Sequence, residues 1–526
     1  MGAGASVYSV ELSKPIDGSD VDAGDPNAAK NEVIRLRKLL RDDQTRSQPV
    51  YTIQTDENKT CVERIQSALA AITSLDVDLN SCVEVLAESA LQQATEADAS
   101  LAKLAERRPL EGVPIVVKIN IDVVGSLSTA SMPGLAEWRP ATTAPLAQRL
   151  IDAGCIVVAK TNMPEAALGC WGFSPVHGIT KNPLNAKYTT SGSSSGTAAA
   201  IAAGIVKCGL GSDTGGSLRM PAECCGIVGL RPSRDRYPGT GVIPCNIQWD
   251  RAGAMAIDVK NLSLLDSVMA GESTVDSQLA ADLKGLGVAV ASGMYAAAVP
   301  GHQQALDTAV RALEESGATV TTKEIKFKEI GKDFLHENDL DFREQGLDEY
   351  LASHSETCTT TTDEVLAKSF YKLIEGYYKE PKSHTGKLVN AKSSTKEDII
   401  KFQQELAVFN SKYEKFFADH NVDVVLTPVC HGTPPLCLSN EEYQSSSNAF
   451  KTFSMAVGPS AGACLFNNLS APSLAMPTPA MHKEIGMPAG ILLWGKPNDD
   501  RRLIQIGIAL ENAFAAGLGA KKLTNN

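Results

Sequence analysis

The sequence predicts an α/β fold spanning most of the chain, and two observations carry that prediction. From residue 113, short β-branched runs alternate with helical segments: VPIVVKINIDVV, then APLAQRLIDAG, then CIVVAKTN. Gly154 closes the helical segment directly before the next apolar run, the connection that builds parallel sheets. The same alternation returns at HQQALDTAVRALEESGATVTTKEIKF and at IIKFQQELAVFNSKYEKFFADHNVDVVLTP.

In chain order, residues 1–29 are polar and acidic with dispersed Gly, Pro and Asp, which reads as a mobile arm. A helical pattern follows at NEVIRLRKLL, so residues 1–55 form an arm and first helix apart from a domain over 56–526. MGAGAS fits the pattern that permits myristoylation of Gly2, and an ordinary small-residue start is the plainer alternative. One acyl chain holds a membrane weakly, and no basic cluster or cysteine follows, so membrane contact is expected only with lipidated Gly2. Helical periodicity then runs from about 60 to 106, interrupted around LDVDLNS. Residues 355–396 are polar and read as a loop-rich insertion or a cap over a site.

Composition removes several functions. Of 526 residues, 43% are hydrophobic and 21% charged, an ordinary globular balance. A formal net charge of -12 argues against sequence-independent nucleic-acid binding, which needs a basic surface to displace counterions. The apolar run TAAAIAAGIV is about half of the roughly 20 residues that a membrane span needs. Twelve cysteines are scattered, only Cys224 and Cys225 adjacent, and with no secretory signal they read as reduced thiols of a cytoplasmic protein. The sequons at Asn58, Asn261 and Asn468 are then chance matches.

Three polar features stand out against this background. Lys118 lies inside VPIVVKINIDVV, where an ammonium group is costly unless it is paired, reaches water or loses its proton. A neutral amine there is a candidate general base, and a strand-end lysine reaching solvent is the plainer reading. SGSSSGTAAAIAAG is a poor linker, because a buried helix starts at once, and a poor phosphate loop, because the Gly-Lys-Ser/Thr ending is missing. In GLGSDTGGSLRMPAECCG, Ser217 follows two glycines and precedes a helix start, so consecutive N–H groups face one point, the geometry of an oxyanion hole. Lys118, Ser193 and Ser217 together supply a base, a hydroxyl relay and a nucleophile.

These motifs resemble the amidase signature family. GVPIVVKINIDV, AKTNMPEAALG, HGITKNP, GSSSGTAAAIAAG and GLGSDTGGSLRMPAECCGIVGLRPS occur in the family's order and spacing, densest over about 111–260. The resemblance implies a single large domain with a central mixed β-sheet covered by helices on both faces. It implies a Ser-cis-Ser-Lys triad of Ser217 as nucleophile, Ser193 after a cis bond to Gly192, and Lys118 as base. Main-chain groups of Thr214, Gly215, Gly216 and Ser217 would hold the oxyanion. Ser194 would join the hydrogen-bond network, and Asp213 and Arg219 would brace the loop. No metal or organic cofactor is implied. The chain departs from the family in having Ile119, followed by Asn120, where Asp often follows the lysine, and Ser191 before Gly192 where a second glycine is usual.

GLRPSRDRYPGTGVIP and WDRAGAMAIDVKNLSLLDSVMAG look most like the branch of indoleacetamide and mandelamide hydrolases, which implies a small primary, aryl-acyl amide as substrate. Met132, Cys170, Trp171 and Phe173 read either as acyl-pocket lining or as ordinary core. Three other readings stay open: the glutamine-hydrolysing subunit of a tRNA-dependent amidotransferase, a fatty acid amide hydrolase, and an inactive amidase-like binding protein. The expected partner is a small-molecule amide, with a homodimer left open.

Overall fold

The protein is described here by a computed structural model covering residues 59–103, 107–272, 280–323, 343–369, 396–430, 432–438 and 470–519. The arm and helix expected within 1–55, including Gly2, lie outside the described residues, as do 370–395 of the polar region.

Helix α1, Cys61–Leu79, begins at a capping box in which Thr60 and Glu63 satisfy each other's backbone N–H groups. It buries Cys61, Ile65, Ala68 and Ile72, the stripe that its periodicity predicts. The helix runs through the expected interruption at LDVDL and stops only where Asn80 takes a left-handed φ of 54°. The break is instead a short strand, β1 (Cys82–Val85), before α2 (Ala87–Ala102).

The alternating region forms β2 (Pro114–Lys118), α3 (Pro145–Asp152), β3 (Ile156–Thr161), α4 (Ser195–Ala202), β4 (Cys208–Asp213) and α5 (Arg219–Cys224). Then come β5 (Val228–Arg231), β6 (Arg251–Ala256), α6 (Val259–Ala270), β7 (Gly287–Ala291), α7 (Pro300–Glu315) and β8 (Thr319–Lys323). Helices α8 (Arg343–Ser353), α9 (Thr362–Ala367) and α10 (Lys396–His420) lead to β9 (Val424–Thr427), β10 (Ser473–His482), β11 (Met487–Trp494) and α11 (Asp500–Ala515). The expected polar insertion thus contains a capped helix, α9.

Eleven strands make one mixed sheet in the order β1, β3, β2, β4, β6, β5, β10, β11, β9, β7, β8. Strands β3, β2 and β4 run parallel, as do β9, β7 and β8, while the strands between pair antiparallel. The mixed central sheet matches the architecture that the family resemblance implied. Asn261 of the sequon lies in α6, buried, with its amide donating to Asp258. The described cysteines are all free thiols, and no helix among the described residues is long and apolar enough to cross a membrane.

This order sets the site. β2 and β4 are parallel neighbours, Val116 opposite Gly209 and Val117 opposite Leu210, so their carboxyl ends open side by side. That is where sites form in parallel sheets. Helix α4 lies against both strands and is buried from Ser195 to Ile201, which small residues alone permit. A Cβ on Gly196 would fall 2.2 Å from the Ser81 carbonyl oxygen, and one on Gly211 would fall 2.6 Å from Ser194 Oγ. Gly211 therefore lets the serine turn sit directly against β4, and Gly196 lets the start of α4 approach the main chain of Ser81 and Asn162.

Candidate active site

Lys118 ends β2 with its side chain fully buried. Its Nζ lies 2.8 Å from Ser193 Oγ, 2.9 Å from Ser212 Oγ and 3.2 Å from Ser194 Oγ. Burial drives its pKa down to about 7, against the opposing pull of the Asp213 carboxylate. An amine of that kind is substantially neutral near pH 7 and able to accept a proton.

The three serines of the opening turn take different places. The Gly192–Ser193 peptide bond is cis, and Ser193 Oγ meets the lysine. Ser194 donates its hydroxyl to the Ser212 carbonyl at 3.1 Å and accepts the Ser212 N–H at 3.2 Å, locking the turn to β4. Ser195 is the first residue of α4, with its hydroxyl on the Asn162 carbonyl at 3.3 Å.

Ser217 lies in the turn between β4 and α5, and its carbonyl accepts the Ser194 N–H at 3.2 Å. Among the described residues no hydrogen bond joins Ser217 Oγ to Ser193; main chain connects the two turns. Lys118, Ser193, Ser194 and Ser217 are therefore assembled at one place, with the Lys118–Ser193 contact made and the Ser193–Ser217 hydroxyl contact not made.

Asp213 organises the turn that bears Ser217. Its buried carboxylate accepts the N–H groups of Gly216 at 2.8 Å and Leu218 at 3.0 Å. Arg219 grips it through two nitrogens, each at 2.9 Å, and Arg231 adds a third contact at 3.1 Å. Burial alone would push this carboxyl up, but the two guanidinium groups overcome it and hold it well below the usual carboxylate range. Arg219 also lies over the Trp494 ring, 5.3 Å from its centroid.

Gly216 departs from expectation. With φ at 115°, a conformation that favours glycine, it turns its N–H onto Asp213 rather than toward a substrate oxygen. Thr214 bonds through its hydroxyl to the Asp250 carboxylate, which also accepts the N–H groups of Cys245 at 2.7 Å and Asn246 at 2.9 Å. Gly215 lies between the two anchored positions.

Four neighbours escaped the sequence reading. Ser212 and Arg231 are single polar residues at the ends of apolar strands, Asp250 lies in a loop, and Asn120 stood out only as a departure beside the lysine. A signal did exist for Ser212: it is the last hydroxyl before the acidic end of a strand adjacent to the lysine strand. The proposed pocket residues are all buried in apolar clusters. Met132 packs with Ile119, Ile243 and Leu347; Cys170 joins the main core; Trp171 and Phe173 pack with Ile179 and Leu438. No group of three or more His, Cys, Asp or Glu among the described residues is arranged to hold a metal ion.

Comparison with known proteins gives the chain's lineage. The family described as Amidase matches residues 63–504, most of the chain. The chain belongs to the amidase signature family. Its relatives within that family include a mandelamide hydrolase from Pseudomonas putida, 29% identical over 462 residues that span 84% of this chain and 86% of the relative. A glutamyl-tRNA(Gln) amidotransferase subunit from Lachnospira eligens is 27% identical over 86% of this chain and 95% of its own. Among solved structures, a peptide amidase from Stenotrophomonas maltophilia superposes with a TM-score of 0.71 at 23% identity, covering 87% of this chain and 94% of its own. A 6-aminohexanoate cyclic dimer hydrolase superposes with a TM-score of 0.69 at 22% identity, over 87% of this chain and 94% of that one. This protein is an amidase-signature hydrolase.

Proposed function

We propose that the protein hydrolyses a small primary amide, with an aryl-acyl group favoured, to carboxylate and ammonia through Ser217, Ser193 and Lys118. The observation that carries this reading is the 2.8 Å contact between a buried lysine amine and Ser193 Oγ, beside the turn that bears Ser217.

Neutral Lys118 takes the proton of Ser193 as Ser193 takes that of Ser217, and Ser217 Oγ attacks the amide carbonyl carbon. For this step the Ser217 hydroxyl turns toward Ser193. With the Gly216 N–H on Asp213, the N–H groups of Thr214, Gly215 and Ser217 are the candidates to hold the oxyanion. Protonated Lys118 then returns its proton through Ser193 to the leaving nitrogen, the C–N bond breaks and ammonia departs. Water, deprotonated by the same route, cleaves the acyl-enzyme and regenerates Ser217.

The aryl-amide preference draws on the mandelamide hydrolase relative, which matches across most of both chains. A second reading, glutamine hydrolysis for a partner, draws on stretches such as the 38% identity over 218 residues to a glutamyl-tRNA(Gln) amidotransferase subunit from Agathobacter rectalis. An ammonia-release assay with mandelamide, phenylacetamide, a long-chain acyl amide and glutamine separates them. Release from the aryl amides is expected. Release from glutamine alone would establish the second reading, and release from none of the four would overturn both.

A further inference from the structure

Lys118 is surrounded by three hydroxyl oxygens, and their remaining bonds determine what each can offer it. Ser194 has spent its hydrogen on the Ser212 carbonyl, so toward Lys118 it only accepts. Ser212 Oγ accepts one hydrogen from Asn120 Nδ2 at 3.1 Å, and the other Asn120 N–H goes to the Ile243 carbonyl at 3.3 Å. An ammonium group on Lys118 has three hydrogens for Ser193, Ser194 and Ser212, so its needs are met in full. A neutral amine has two hydrogens and one lone pair. Ser194 takes one hydrogen, and Ser193 and Ser212 then compete for the lone pair.

We propose that Asn120 and Ser212 are positioning residues for the base: Ser212 is the third acceptor for the Lys118 ammonium and the rival of Ser193 for its lone pair, and Asn120 holds Ser212 in that place. The proposal rests on the triad reading above. It gives Asn120, next but one to the lysine, a definite role, because its buried amide spans from the β4 end to the Ile243 carbonyl and fixes the Ser212 hydroxyl. The charged and titratable groups facing Lys118 are Asp213, itself held by Arg219 and Arg231, together with Asp250 and the Cys245 thiol. None of these reaches Lys118 Nζ by a hydrogen bond; its direct partners are the three hydroxyls and, at 3.5 Å, the Ser212 carbonyl, which Ser212→Ala leaves in place.

The test measures how fast a fluorophosphonate modifies Ser217 between pH 5 and 10, which needs no knowledge of the natural amide. In that reaction Ser217 Oγ forms the P–O bond, fluoride leaves, and the Ser217 proton passes through Ser193 to Lys118. The rate should rise with pH as Lys118 loses its proton. Ser212→Ala removes one acceptor from the ammonium form, so the rise should move to lower pH by about one unit, the size expected for a hydrogen bond to a charged group. Asn120→Asp brings a carboxylate beside Ser212, favours the ammonium form and should move the rise to higher pH.

A slower reaction with the rise unmoved in both variants would overturn the proposal, leaving the two residues with a merely structural part. Should Ser212→Ala fail to fold, Asn120→Asp decides alone by the same criterion. Lys118→Ala distinguishes the levels: if it labels at the unmodified rate with the same pH dependence, the triad reading itself fails. If it is slow and pH-independent while the Ser212 and Asn120 variants keep the original profile, the Asn120–Ser212 assignment alone fails.

Discussion

Two lysines on neighbouring parallel strands invite comparison. Lys118 ends β2 and Lys160 is the penultimate residue of β3; both are fully buried, and burial lowers both pKa values to about 7. Their surroundings differ in which partner is close. Lys118 meets three serine hydroxyls within 3.2 Å and only at 3.5 Å a carbonyl, that of Ser212, whereas Lys160 donates to the Ile121 carbonyl and has one hydroxyl, Ser128 Oγ, at 3.5 Å, with the buried Asp122 carboxylate nearby. Tyr350 donates to Asp122 at 2.8 Å, and His354 Nε2 lies 3.2 Å from it, so α8 and the turn after it are tied to the chain just beyond Lys118.

A carbonyl accepts a hydrogen bond but has no proton to pass on. A hydroxyl does both, so a chain of hydroxyls can conduct a proton to a reacting atom. Burial and a depressed pKa therefore do not single out a base; the partners do. On this account Lys118 is the base and Lys160 is a clamp on the segment that follows it.

Substituting each lysine in turn separates their roles. Lys118→Ala should lower kcat by about a thousandfold, and the residual rate should lose its rise with pH through about 7, read from initial rates of ammonia release. A near-normal rate with the same rise would move the base elsewhere. Lys160→Met should act in the opposite sense. It leaves the Ile121 carbonyl without its donor and should cost about 1–3 kcal/mol of stability by denaturant titration, with the pH rise still in place. A loss of that rise in Lys160→Met, with the fold intact, would erase the distinction between the two lysines.

The same contrast explains what the sequence made legible. Lys118 was visible because it interrupts an apolar strand, and the serine and glycine turns because their composition suits no linker. The α/β alternation was equally plain, since each helix is closed and followed by its own β-branched run. The antiparallel middle of the sheet was not legible: β5, at Val228–Arg231, pairs with β10, at Ser473–His482, across more than two hundred residues. Nor was the inward turn of Gly216, because a glycine admits many conformations and the choice is made by Asp213, whose carboxylate captures that N–H. Arg231 and Ser212 gained their roles from register alone: one-residue slips of β4 and β5 would point both to the opposite face.

The account stands on Ser217 being the nucleophile that Lys118 activates through Ser193. Mapping the fluorophosphonate adduct by peptide mass spectrometry, at fixed pH and in the unmodified chain beside Ser217→Ala, tests this most directly. The account predicts one adduct, on the peptide bearing Ser217, and none in Ser217→Ala. An adduct on another residue, or equal modification of Ser217→Ala, would contradict it.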